Sequence, residues 1–251
     1  MNLKLIGLFL LTIVFQNVNA QFEFLPLSNE SENIYNHQLF SKETNFHSSV
    51  RPYRRSKVNE IANRDSIIEN KYFQGKFYNT WLGAALFNED VLKVRTTDFD
   101  LSLNPILNFN GGALMNSDAA NTYVNTRGIS IEGRIGEEVT FHTSFTENQA
   151  RYAGYINSFV NTSKVVPGQG YARDFKEDAY DFSNAYGMVS FTPNKFFNFS
   201  LGQGKHFFGE GYRSMFLGDG AFNYPFFKIE TTVWKIKYVN LWTQQRDLSK
   251  A

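Results

Sequence analysis

Asp98-Phe99-Asp100-Leu101-Ser102-Leu103-Asn104-Pro105-Ile106-Leu107-Asn108-Phe109 alternates polar and apolar side chains almost without a break. Successive side chains of a strand point to opposite faces, so Phe99, Leu101, Leu103, Leu107 and Phe109 share one face. Asp98, Asp100, Ser102, Asn104 and Asn108 share the other. Such a run is long for a strand in a soluble domain and right for a tilted strand crossing a bilayer. The stretch predicts a membrane strand with a greasy side and a wet side.

Working outward, residues 126–135 set Ile129, Ile131 and Ile135 against Ser130, Glu132 and Arg134. After a tight Gly136-Glu137 turn, Val139, Phe141 and Phe145 alternate with Thr140, His142 and Ser144. Further strands are expected at 185–191, 197–203, 226–233 and 236–242. The connections run long, short, long, short, long, short. The long ones are 110–122, 147–181 and 206–225; the short ones lie at Gly136, at Pro193-Asn194 and at Trp234-Lys235. Outer-membrane barrels have short periplasmic turns and long outer loops, whereas a soluble sandwich gives no reason for strict alternation. Leu101, Ile131 and Phe141 are expected to face lipid, with Leu101 near mid-membrane. Asp100, Glu132 and His142 are expected on the lumen side, where substitutions should be mild.

About seven strands cannot close a barrel, because bacterial single-chain barrels use even numbers from eight upward. Residues 244–251 are a polar run rather than a final strand. The expectation is therefore the N-terminal portion of an all-β, transmembrane antiparallel β-barrel spanning 96–251. A short, partly helical periplasmic segment, 21–95, precedes it, with helices compatible with 56–70 and 79–94. The first twenty residues read as a signal peptide. Lys4 gives a positive start, Leu5 to Phe15 an apolar stretch, and Val18-Asn19-Ala20 a small-residue cleavage site. The chain is then exported to the outer membrane of a Gram-negative cell.

Composition agrees with this reading. The chain has 26 Phe, 13 Tyr and 3 Trp, yet its mean hydropathy is mildly negative, at -0.36. Many aromatics in a chain that is polar on average suit strands with one greasy face. Basic and acidic residues number 25 and 24, which gives no basic stripe for nucleic acid. Without cysteine there are no disulfides and no thiolate metal sites.

Several stretches resemble the Wzi-like capsule-assembly family, in the form found in Bacteroidota, which includes a gliding-motility protein. Phe46-His47-Ser48-Ser49-Val50-Arg51-Pro52-Tyr53 resembles the family's early HTSxxP stretch. Asp98 to Pro105 and Arg127-Gly128-Ile129 are similar to its first two strands, and 143–149 to the end of the next. The most specific stretch is 202–219, GQGKHFFGEGYRSMFLGD, followed by Asn223-Tyr224-Pro225. The chain departs from the family block at Gly218, where a serine is expected. The resemblance implies a larger outer-membrane barrel that holds capsular polysaccharide at the cell surface as a lectin.

The residues leave open what binds. Glycine-rich 202–211 lacks the order of a phosphate-binding loop and reads as strand-end glycines. Glu210, Arg213 and Asp219, beside Tyr212, could bind sugar hydroxyls, but the favoured reading is an Arg213–Asp219 ion pair fixing the loop, since buried charges are normally paired. Tyr152, Tyr171 and Arg173, with Arg151, Tyr155 and Asp174, put aromatic faces beside charges, which suits carbohydrate. Glu177, Asp178 and Asp181 lack the spacing of a calcium loop. His37, His47, His142 and His206 show no metal spacing, and no nucleophile elbow occurs. The expectation is a non-enzymatic barrel, without cofactor or metal, whose partners are surface polysaccharide and outer-membrane lipid. Two alternatives stand beside it: an outer-membrane component of gliding motility or adhesion, and a secreted soluble β-sandwich lectin or enzyme.

Overall fold

The computed structural model describes residues 23–28, 32–41, 44–62, 80–81, 83, 89–114, 121–176 and 178–246. The expected signal peptide, most of the expected helical stretches at 63–70 and 79–88, Glu177 and the last five residues lie outside them. The described chain is mostly antiparallel β-sheet. In chain order it carries α1 (Asn36–Leu39), β1 (Val50–Arg51), α2 (Arg55–Asn59), β2 (Leu92–Arg95), β3 (Phe99–Gly112), β4 (Thr122–Ile135) and β5 (Val139–Arg151). There follow α3 (Gly154–Ser163), β6 (Val165–Val166), β7 (Gly170–Tyr171), β8 (Arg173–Phe175), β9 (Ala179–Phe191), β10 (Phe197–Gly204), β11 (Phe207–Phe208), β12 (Tyr224–Val233) and β13 (Ile236–Thr243).

The main sheet has the order β13-β12-β10-β9-β5-β4-β3-β2, with β8 also paired to β9. It is a meander in which each long strand pairs with the next one in the chain. It is an open sheet over the described residues, with β2 and β13 at its edges. Every expected strand is present, most of them longer than expected. The expected helix over 79–94 ends otherwise: Leu92–Arg95 is an extended strand laid against Asp100–Leu103. The sheet thus begins at Leu92, not at 96.

Short turns gather at one end, at 96–98, 136–138, 192–196 and 234–235. Gly136 sits at φ +60°, where a side chain is strained, and its N–H donates to the Asp98 carbonyl at 2.7 Å. At the next turn the Asn194 Oδ1 accepts from the N–H groups of Phe196 (2.9 Å) and Phe197 (3.1 Å), which bends the chain locally. The described parts of the long connections, 113–114, 121, 152–176, 178 and 205–223, lie at the other end. Leu101 is the third residue of β3 and stands near the short-turn end, not at the middle of the sheet. The middle of β4 and β5 is marked by Ile129 opposite Phe145.

The pleat sorts the side chains onto two faces. One carries Leu101, Phe141, Val189, Leu201, Phe227 and Trp242, in register across the sheet. Gly133 completes the row, because a Cβ there would meet the Phe141 ring at 2.6 Å. Among the described residues nothing packs over this face, and Leu201 is 61% exposed. Aromatics crowd its short-turn end, where Phe191, Phe197 and Phe199 stack.

The opposite face is largely polar, and many of its side chains are buried. Arg134 reaches Asp100 at 2.8 Å, and Asn198 donates to Ser190 at 2.7 Å. Lys228 and Glu230 lie 2.9 Å apart, with Lys237 3.1 Å from the second Glu230 oxygen. Their cover is the N-terminal segment, which the sequence reading had set apart from the sheet. Phe24 joins Met188, Tyr224 and Phe226 in one apolar cluster, and the Lys228 ammonium lies 4.3 Å from its ring centroid. The segment has a small core of its own, built on Leu25, Tyr35, Leu39, Tyr53, Val58 and Ala62. A third cluster seats Val160 of α3 on Ala150, Tyr180 and Phe182, so the 152–178 loop folds over the same face.

Candidate functional site

Two of the stretches that carry the resemblance, separated by more than half the chain, lie side by side at the long-loop end. Val50 and Arg51 pair with Phe208 and Phe207 as a two-stranded ladder. The Gly209 N–H donates to the Ser49 carbonyl at 2.8 Å, and the Ser48 hydroxyl to Glu210 Oε1 at 2.7 Å. Arg51 is the centre of this seam. Its Nη1 lies 2.5 Å from Glu32 Oε2, its Nη2 donates to the Gly211 carbonyl at 3.1 Å, and its guanidinium sits 3.9 Å from the Phe207 ring centroid. Both charged partners are buried. Burial raises the Glu32 pKa, while the hydrogen bond and charge of Arg51 pull it down.

Against this seam lies a cavity of about 280 Å³. Glu32, Arg51 and Tyr53 form part of its wall, Asn33, Asn36 and Phe40 come from α1 and its approach, and Glu210, Gly211 and Tyr212 come from the 205–223 loop. Asn36 donates to Asn33 Oδ1 at 2.7 Å. Phe40 is half exposed and Tyr212 is 78% exposed, so the aromatic part of the wall reaches the surface.

A second cavity, about 310 Å³, lies between Phe24, Pro26 and Pro52 of the segment and His142, Ser144 and Tyr186 of the sheet. Lys205 closes one side by donating to the backbone carbonyls of Gly168 and Asp219. Burial lowers the Lys205 pKa and the Asp219 carboxylate raises it. An amide ladder runs along the wall: Asn223 donates to Asn184 Oδ1 at 2.8 Å, and Asn184 to Gln169 Oε1 at 3.1 Å. The two longest loops meet here, with the Tyr171 and Phe222 rings edge to face at 5.6 Å. Nearby, His206 is buried, its N–H donating to the Tyr224 hydroxyl at 3.0 Å; burial lowers its pKa to about 3.

The residues singled out in the sequence separate into different places. Glu210 and Tyr212 line the first cavity, and Asp219 lines the second. Arg213 is exposed, and no ion pair joins it to Asp219 among the described residues. The expected loop-fixing pair is thus replaced by Arg51–Glu32 and by Lys205. Tyr152 packs against the α3 cluster, where burial pushes its hydroxyl up to about 12. Tyr171 and Arg173 are exposed. Sequence reasoning missed Glu32, Asn33, Asn36, Phe40 and Lys205, because each enters by a contact remote in the chain. Arg51 was inside a quoted stretch but carried no local signal of its partners.

Among the described residues no group of three or more His, Asp or Glu side chains could hold a metal ion, and no helix is long and apolar enough to cross a membrane. The chain matches no protein-family model, no curated protein and no solved structure.

Proposed function

We propose that this chain is part of a non-enzymatic outer-membrane β-barrel that binds surface polysaccharide, anchors it to the cell and aids capsule assembly. The observation that carries the reading is the inverted sheet. Among the described residues its apolar face is left uncovered while much of its polar face is packed, which is the arrangement lipid rewards and water penalises. The separation of short turns from long loops supports the same orientation. Function collects on loops held by a rigid frame, and here the loops bring aromatic rings beside charged and amide groups. Tyr171, Phe222 and Arg173 lie on one part of that end, and Tyr212 with Glu210 on another. Rings stack on the apolar C–H faces of sugars while polar groups bond their hydroxyls.

The test is a deletion strain complemented with the parent gene or with Tyr171→Ala/Arg173→Ala. Membrane fractionation should find the protein in the outer membrane. Cell-bound polysaccharide should fall in the deletion and return only with the parent. Full retention of polysaccharide in the deletion, or a protein recovered soluble in the periplasm or medium, would overturn the reading.

A further inference from the structure

The cavity between the N-terminal segment and the sheet is built where two loops close on one ammonium. Lys205, from the 205–223 loop, donates to the Gly168 carbonyl of the 152–178 loop and to the Asp219 carbonyl at 3.3 Å. Gly168 sits at φ +69°, where a side chain is strained, and the ammonium lies 3.7 Å from the place its Cβ would take. An ammonium has three protons to give, and the two carbonyls take two. No ion pair among the described residues includes Lys205. Burial disfavours its charge. A half-buried cation with a spare donor and no counter-ion in contact is a group that a partner normally completes.

The amide ladder in the same wall has a fixed sense and open ends. Asn223 Nδ2 donates to Asn184 Oδ1 and to the Ala185 carbonyl, and Asn184 Nδ2 donates to Gln169 Oε1. The Ala185 carbonyl can only accept, which settles the amide nitrogens along the ladder. What remains is an acceptor, Asn223 Oδ1, at one end and the donors of Gln169 Nε2 at the other. Neither has a partner among the described residues.

Resting on the polysaccharide reading for its choice of a carbohydrate, we infer that this cavity holds one uronic acid unit, its carboxylate on Lys205 and Gln169 and its hydroxyls on Asn223, Ser144 and Tyr186. The volume, about 310 Å³, lies at the low end of the roughly 300–1,000 Å³ of small-molecule sites, which suits a single ring rather than an oligomer. Phe24, Pro26 and Pro52 form an apolar side for the C–H face of that ring. A carboxylate takes the spare proton of Lys205 in a charge-assisted bond. Asp219 is the one carboxylate in the wall; it is exposed, so solvent screens it, and it can accept from a ring hydroxyl. A neutral hexose leaves the ammonium uncompensated. An amino sugar sets a second cation against it, a like-charge contact that penalises the wrong ligand.

The experiment uses the full chain in detergent micelles, titrated with glucuronate, glucose and glucosamine and read by ligand-observed NMR. Glucuronate should bind about tenfold more tightly than glucose, the worth of one charge-assisted bond, and glucosamine no more tightly than glucose. Acetate carries the charge without the ring, and at equal concentration it should not displace glucuronate. Lys205→Met should bring glucuronate down to the level of glucose. Gln169→Glu, at an exposed side chain, keeps the acceptor for Asn184 and puts a carboxylate where the donors were. It should weaken glucuronate about tenfold with an unchanged β-type circular dichroism spectrum, and it decides alone if Lys205→Met does not fold. Glucose or glucosamine binding as tightly as glucuronate, displacement by equal acetate, or either folded variant binding glucuronate like the parent overturns the inference. Should glucuronate give no signal while Tyr171→Ala/Arg173→Ala strips polysaccharide from cells, this site falls and the anchoring role stands. Should glucuronate bind as expected while the deletion strain keeps its polysaccharide, the site stands and the anchoring role falls.

Discussion

The two faces of the main sheet differ in what covers them, and the difference runs opposite to that of a water-soluble sheet. Along one face, Ile129, Phe145, Val189 and Leu201 stand with large parts of their surface free. Along the other, Asp100, Ser102, Asn148, Ser190, Asn198, Ser200, Lys228 and Glu230 are buried. In water an uncovered apolar sheet face of this extent is an interaction site or an aggregation liability. Ordinary chains also do not place polar groups inside unless they are bonded or paired. Here Asp100 pairs with Arg134, Asn148 with Thr126, Asn198 with Ser190, and Glu230 with Lys228 and Lys237, whereas the Ser102 and Ser200 hydroxyls have no hydrogen-bond partner among the described residues; Phe24 of the N-terminal segment lies over Lys228. The lesson is that amphipathic alternation fixes the phase of a strand, while the identity of each environment comes from what the rest of the chain chooses to pack.

The comparison breaks or holds on three measurements, the first with the largest expected effect. Glu230 lies between Lys228, which is fully buried, and Lys237. Glu230→Ala leaves those cations without their counter-charge and should cost about 3–5 kcal/mol, the range for breaking a buried pair. The mild effect expected for a water-filled lumen does not apply, because the face is covered. A urea midpoint equal to that of the parent would show the polar face to be wet.

Phe145→Arg probes the other face. At the middle of a strand that, as we propose, spans the membrane, it should cost about 2–4 kcal/mol, and Ile135→Arg beside the short turn only about 0–1 kcal/mol. On a water-exposed face both changes should stay within about 0.5 kcal/mol. Equal and negligible costs at the two positions would remove the case for lipid.

The smallest effect is expected from pH. His206 is buried in the long-loop end with a pKa near 3, whereas the unfolded chain titrates near 6.5. The unfolded state therefore binds the proton first, and stability present above about pH 6.5 is lost as pH falls toward 3. Between pH 7.5 and 5 the loss should be about 2 kcal/mol. His206→Gln should flatten that slope; an unchanged slope assigns the acid sensitivity to another group.

The strands were legible because each is a local pattern. Asp98 to Phe109 announces both its conformation and its phase, and the turn residues Gly136 and Asn194 announce where it reverses. The short-turn and long-loop ends followed from lengths alone. α3 was missed, since Gly154 to Ser163 mixes β-branched residues with Asn and Ser, and its one buried anchor, Val160, depends on Ala150 and Tyr180. β2 was missed because Leu92–Arg95 is exposed along its length and alternates weakly. At the candidate site Glu210 and Tyr212 were legible as polar and aromatic loop residues. Glu32 and Arg51 were not, since a buried ion pair across 19 residues leaves no periodic trace. The proposed docking of segment 23–62 on the sheet was equally hidden, because long polar stretches read as solvated until their partner surface is known.

The ladder between Val50–Arg51 and Phe207–Phe208 also bears on the order in which the molecule assembles. Neighbours within the main sheet are neighbours along the chain, so each hairpin closes over a modest loop. The bond from Ser48 to Glu210 spans 162 positions. The entropy of closing a loop must be met before its contacts reward it, and contacts of high sequence separation slow folding. The meander therefore zips first, from its turns, and exposes its charged face while it does so. The segment that precedes the sheet in the chain is the last to find its place, and until it docks and Phe24 reaches Lys228, Lys228 and Glu230 must remain hydrated.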